Sequence, residues 1–95
     1  MSNVLTSNPI KLDTTGATSS ITNGLRIIGF VWDSGDSGTV GDNVVLHDAS
    51  GGNVVFQATL AVAKDTIIFN PAKPLDTKGL YLTTIDNGVL LVYLA

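Results

Sequence analysis

The sequence contains no cysteine, no glutamate and a single histidine. Without cysteine there are no disulfide bridges, no zinc sites built on thiolates and no thiol nucleophile. All eight acidic residues are aspartates, and aspartate favours turns and caps whereas glutamate favours helix interiors. These absences argue against a helical protein and against most metal and cysteine chemistry.

Charge is also scarce, because charged residues make up 14% of the 95 residues, against about 25% in ordinary globular domains. The net charge of −3, with scattered basic residues, argues against a nucleic-acid partner, which would favour a basic face. The longest apolar run, residues 89–95, is far shorter than a membrane span. The first nine residues lack the basic and apolar regions of a secretion signal. We therefore expect a soluble protein with no nucleic acid and no membrane as partner.

Glycine, threonine, serine and asparagine are abundant, and they separate short apolar runs. About seven such runs recur at intervals of roughly 10–14 residues, which is typical of β-sandwiches, jelly rolls and small barrels. The sequence predicts an all-β, single-domain antiparallel β-sandwich or jelly-roll-like barrel. Residues 25–95 are expected to form this domain, and residues 1–24 an N-terminal arm or edge strand with a polar loop.

Two β-hairpins are predicted from turn residues. Asn87-Gly88 lies between two strand-like runs and favours a type I′ turn, which needs a positive φ at both central residues. This predicts that the last two strands pair with each other. A second hairpin is predicted around the Gly-containing turn at residues 49–52.

One loop contains a weak catalytic motif. Residues 35–38, Gly-Asp-Ser-Gly, match the core of the nucleophile loop in trypsin-like proteases. However, His47 follows Ser37, whereas those enzymes have the order His, Asp, Ser, and the chain is too short for their two barrels. Because His47 also has no cysteine or glutamate to work with, we expect no catalytic residue, no cofactor and no enzymatic activity.

The same loop also carries three aspartates, Asp33, Asp36 and Asp42. Their spacing does not match an EF-hand, which also needs a glutamate. We predict no metal ligand, and leave open a looser calcium site at these residues.

Two strand-like segments, residues 25–32 and 89–94, are apolar on both faces. A strand of a sandwich buries only one face and should alternate. Either loops cover the second face or another molecule does, because monomers avoid large exposed apolar patches. The pattern predicts a homo-oligomer. The candidate interface residues, which sister subunits would share, are Leu25, Ile27, Val31, Trp32, Val89, Leu91 and Tyr93.

Three segments, at residues 67–71, 78–82 and 86–89, read Ile-Ile-Phe-Asn-Pro, Lys-Gly-Leu-Tyr-Leu and Asp-Asn-Gly-Val. In this order they resemble small tailed-bacteriophage virion proteins, most closely capsid decoration (cement) proteins. The resemblance covers roughly residues 25–95. It implies a structural protein, usually a trimer, that binds the major capsid protein and stabilises the capsid surface after synthesis in the host cytoplasm. It also implies that residues 1–24 reach a neighbouring molecule.

A second hypothesis is a glycan- or receptor-binding module of a head or tail fibre. Trp32 lies at the end of a strand beside the loop at residues 33–42. An exposed tryptophan at such a position stacks on sugars or anchors a protein contact.

Overall fold

The structure, a computed structural model, describes residues 3–5, 8–16 and 19–95, and within them the fold is all-β, as predicted. The strands are β1 (Ile10–Leu12), β2 (Leu25–Asp33), β3 (Asn43–His47), β4 (Val54–Thr59), β5 (Thr66–Phe69), β6 (Leu75–Thr77), β7 (Tyr81–Ile85) and β8 (Val89–Leu94). In the same residues no helix is long and apolar enough to cross a membrane.

The strands form two antiparallel sheets. The large sheet has the order β1-β8-β2-β5, with β6 also paired to β2, and the small sheet has the order β4-β3-β7. Phe30 of the large sheet stacks on Phe56 of the small sheet, with ring centroids 4.7 Å apart. One apolar core therefore joins the inner faces of both sheets. Its buried members are Ile10, Leu12, Ile27, Phe30, Trp32, Val44, Leu46, Phe56, Leu60, Leu80, Leu82, Leu90 and Val92.

One of the two predicted hairpins forms. Strands β3 and β4 pair around the turn at residues 49–52, with Asn43 opposite Thr59 and His47 opposite Val54. Gly51 in this turn has a φ of +74°, which glycine adopts without the steric cost that a side chain would bring.

The hairpin predicted at Asn87-Gly88 is wrong. Strand β7 pairs with β3 in the small sheet, whereas β8 pairs with β1 and β2 in the large sheet. Of the two turn residues only Gly88 has a positive φ, so the type I′ turn is not formed. The physical reason is burial: Leu82 and Leu90 both lie in the core, and they reach it from opposite sheets.

A β-bulge explains why residues 25–32 look apolar on both faces. Ile27 pairs with Leu94 and Gly29 pairs with Tyr93, which leaves Ile28 as an extra, unpaired residue. A bulge shifts the alternation by one residue. In β2 the odd-numbered residues therefore point toward the core before the bulge, and the even-numbered residues point toward the core after it. Much of the apparent second apolar face is therefore core.

The described part of residues 1–24 packs on the same core as residues 25–95. Ile10 and Leu12 of β1 are fully buried, and Val4 exchanges two main-chain hydrogen bonds with Lys11. Ile21 makes the same pair of bonds with Leu80 beside β7. These short segments cover one edge of each sheet; residues 1–2, 6–7 and 17–18 of the proposed arm lie outside the described residues.

Candidate protein interaction surface

The side of the large sheet that faces away from the core carries an apolar surface, which we call the outer face. Strand β8 shows how it arises, since Leu90 and Val92 are buried in the core and the residues that alternate with them point outward. The apolar residues of the outer face are Val31, Ile68, Val89, Leu91 and Tyr93.

Three of these residues lie in one straight row across the sheet. Leu91 of β8 is opposite Val31 of β2, and Val31 is opposite Ile68 of β5. Ile68 is 64% exposed, whereas Val31 and Leu91 are half-buried by their neighbours. Directly opposite residues on one face of a sheet contact each other, so the row forms a continuous apolar strip that ends at an open edge.

Charged groups border the apolar strip, and exposed Asp33 lies on the same face as Val31, opposite Val89 and Thr66. Lys11 of β1 is opposite Leu91 at one end of the row, and its Nζ lies 3.9 Å from Oδ2 of Asp13. Arg26 and Asp76 form an exposed cross-strand pair farther along β2, with Nε and Oδ1 3.0 Å apart. The hydrogen bond to Asp76, followed by its charge, raises the pKa of Arg26.

Two of the predicted interface residues belong to the core. Ile27 and Trp32 are fully buried, so the interface prediction is wrong for them; the shift in alternation at Ile28 places Trp32 on the inner side of β2. Leu25 is half-buried and packs in part against the core cluster, and its role in assembly stays a prediction. Trp32 is equally unable to stack on a glycan, so the binding-module hypothesis loses its central aromatic residue.

The other four predicted residues, Val31, Val89, Leu91 and Tyr93, share the outer face. Their role in assembly stays a prediction. Ile68 was not among the predicted residues, although the run Thr66–Phe69 is almost entirely apolar and is followed by Pro71. A short apolar strand before a proline is a typical edge strand, and that signal points to Ile68 as exposed.

Comparison of the chain with protein-family models, curated proteins and solved structures finds no match.

The Gly-Asp-Ser-Gly motif forms a packed turn. The main-chain N–H of Gly38 donates to Gly35 O at 3.2 Å, and Gly38 O accepts a bond from the N–H of Lys64 at 3.1 Å. A Cβ on Gly38 would lie 2.4 Å from Oγ of Ser34, so glycine is needed for close packing. Ser37 is exposed on this turn.

Two of the three loop aspartates, Asp33 and Asp42, are held by local hydrogen bonds, and Asp36 is exposed. Asp33 accepts from the N–H of Gly35, and both carboxylate oxygens of Asp42 accept from Thr39, with Oδ2 also accepting from Asn87 at 2.6 Å. The Thr39 main-chain bond, followed by the Asn87 bond, lowers the pKa of Asp42. Across residues 3–5, 8–16 and 19–95, no three histidine, cysteine or acidic side chains come together as a metal site would require.

The outside of the small sheet has a different chemistry. Nδ1 of His47 lies 2.6 Å from Oγ1 of Thr83, and exposed Gln57 and Thr59 alternate along β4. Two shallow clefts beside this sheet, of about 270 and 430 Å³, share Asp48 and Lys78 in their walls. The apolar outer face and this polar surface therefore lie on opposite sides of the sandwich.

Proposed function

We propose that the protein is a structural virion protein that assembles as a homo-oligomer on a phage capsid and stabilises it. The observation that supports this best is the outer face, an apolar strip on the outside of a sheet whose inner side already forms the core. Monomers rarely expose such a contiguous patch, and its burial against another protein is favourable. The resemblance to decoration proteins indicates the class of partner, which is a major capsid protein.

The outer face is the surface that we assign to the capsid shell of major capsid protein. It lies on one sheet, and charged residues border its apolar row. Contacts with an apolar centre and a polar margin are common in lasting protein interfaces. The polar outside of the small sheet then faces solvent on the virion surface.

Co-sedimentation with capsids tests this assignment. The probe is a capsid from the phage that encodes this chain, purified without the protein, and the variant is Leu91→Lys. Lysine can extend its charged end into water at a half-buried position, so the variant should fold. Its affinity for the capsid should fall at least about tenfold. Gln57→Lys on the small sheet adds the same charge away from the outer face and is expected to bind as the wild type does.

Two results would contradict the proposal. The first is a wild-type protein that stays monomeric at high concentration and does not bind capsids. The second is undiminished capsid binding by Leu91→Lys with a native circular dichroism spectrum, which would remove the outer face as the contact.

A further inference from the structure

The two sheets have four edges in the described residues, and this chain covers two of them. Val4 pairs with the edge at β1, and Ile21 pairs beside the edge at β7. The edges at β4 and β5 have no further strand in the part of the chain that the structure describes. Unpaired edges are sites where another chain adds a strand.

The direction of the main-chain groups on β5 follows from one hydrogen bond. The N–H of Ser34 donates to Asp65 O, immediately before the register in which Asp33 is opposite Thr66. Hydrogen-bonded and non-bonded pairs alternate in antiparallel sheets, so Ile67 bonds to β2. The main-chain groups of Thr66 and Ile68 therefore point away from β2, toward the open edge.

The opposite edge of the large sheet gives the same alternation independently. Lys11 exchanges its main-chain bonds with Val4, which leaves Ile10 and Leu12 to bond with β8. Hydrogen-bonded and non-bonded residue pairs alternate from there across β8 and β2. This alternation again means that the main-chain groups of Ile67 bond to β2 and those of Ile68 face the open edge. Both ends of the sheet therefore agree that Ile68 directs its main-chain groups to the open edge, where the N–H of Thr66 donates to Oδ1 of Asp65 at 2.9 Å.

We infer that a second copy of this chain pairs with β5, antiparallel and centred on Ile68, to form one continuous sheet across two molecules. The inference rests on the proposed function only in taking the protein as a homo-oligomer. Ile68 would lie opposite Ile68 of the second copy, and Thr66 opposite Asn70. No two like charges face each other in this register, because the nearest acid, Asp65, falls opposite Pro71.

The apolar row explains why a second copy suits this edge. On each molecule the row runs from Leu91 through Val31 to Ile68, where it ends at the open edge. Pairing at Ile68 joins the two rows end to end, so the most exposed apolar residue of the row gains an apolar neighbour. The combined outer faces then make one broader surface for the capsid shell.

Two registers match the outward main-chain groups about a twofold axis. Centring on Ile68 makes Ile68 and its symmetry mate a hydrogen-bonded pair, whereas centring on Ile67 pairs Thr66 with Ile68 of the second copy. The apolar row selects the first register, because only there does Ile68 meet an apolar residue at the end of the row. In the second register, positions 66 and 68 are equally displaced from their symmetry mates, so the cysteine test separates the two.

The paired edge is short, since β5 has 4 residues. Small interfaces, below about 1,200 Å², are typical of weak and reversible association. Binding of both copies to one shell raises their effective concentration and strengthens such a contact. We therefore expect a concentration-dependent dimer in solution.

Introduced cysteines test the register, because the chain has none of its own. In the proposed pairing, Ile68→Cys places two Cα atoms about 5.5 Å apart, within the range that a disulfide spans. Thr66→Cys is the matched control: it lies on the same edge and face and is exposed, but its symmetry mate is displaced by four residues, or about 13 Å. With oxidised glutathione, Ile68→Cys should form covalent dimers at least tenfold faster than Thr66→Cys.

Sedimentation velocity from 5 µM to 1 mM completes the test. Twice the chain mass of 9.9 kDa, with fast cross-linking only at position 68, supports the pairing. Equal cross-linking rates at both positions would overturn it. A stable mass three times that of the chain, without cross-linking at position 68, would overturn the edge pairing and leave the homo-oligomer intact. A monomer throughout, with no cross-linking and no capsid binding, would overturn both proposals.

Discussion

The indole Nε1 of Trp32 donates a hydrogen bond to the carbonyl oxygen of Asn87 at 2.9 Å. Trp32 is the largest fully buried side chain, and a buried indole N–H needs an acceptor. Its acceptor lies in the turn where the chain passes from the small sheet to the large one. The bond therefore fixes the position of the turn that the sequence predicted as a hairpin.

Replacing Trp32 with phenylalanine removes this bond and part of the buried ring. We expect Trp32→Phe to lower the free energy of unfolding by about 1–3 kcal/mol, because Asn87 O loses its donor. Urea denaturation followed by far-ultraviolet circular dichroism measures the change. Val40→Ala, at a site 66% exposed, should stay within about 0.5 kcal/mol of the wild type; equal effects of the two variants would contradict the role of the bond.

Alanine substitutions at Gly88 and Gly51 distinguish the cost of steric overlap from the cost of backbone strain. Both have positive φ, but a Cβ on Gly88 would lie 1.9 Å from Asp33 O, whereas a Cβ on Gly51 meets nothing within 4 Å. Gly51→Ala should cost about 1–2 kcal/mol from its left-handed backbone alone. Gly88→Ala should cost at least about 3 kcal/mol, since the overlap adds to the strain. Thermal unfolding of both variants makes the comparison, and a milder effect at Gly88 would show that the turn relaxes freely.

Ser19 supplies a buried link to β7. Its Oγ accepts from the N–H of Leu82 at 2.9 Å and donates to Gly16 O at 2.6 Å. Ser19→Ala leaves both main-chain groups without this partner, which should cost about 1–3 kcal/mol. Ser50→Ala in an exposed turn is the control. Hydrogen exchange of the Leu82 amide gives a local readout, and unchanged protection there would rule out the assigned bond.

Asp42 gives the fold an acid-sensitive corner. Hydrogen bonds from Thr39 and Asn87 lower its pKa in the folded protein, so its contribution to stability is present above the unfolded value of about 3.9 and is lost as the pH falls through the folded pKa. In the Asp42→Asn variant the melting temperature should therefore fall less steeply with decreasing pH below about pH 4. Asn87→Ala should reduce the steepness by a smaller amount. Identical acid slopes for these variants and the wild type would contradict this assignment.

Local chemistry predicted the fold class. Phe30, Leu46 and Leu82 lie in strands whose composition predicts β-structure, and the Gly-containing turn at residues 49–52 gave the correct hairpin. The outer face was found in part, through Val31 and Leu91. The prediction failed where one residue changed the alternation, since nothing in the sequence around Ile28 marks it as a bulge.

Most strands and the turn at residues 49–52 could be predicted locally, because side-chain branching, alternation and glycine act over a few residues. Which strands pair and which faces are left exposed depends on long-range packing. Asn87-Gly88 shows the difference: its local preference favours a hairpin, but burial of Leu82 and Leu90 from opposite sheets outweighs the preference of one turn. The same competition turns Trp32 inward and leaves Ile68 at an open edge, since one core between two sheets has room for only some of the apolar residues.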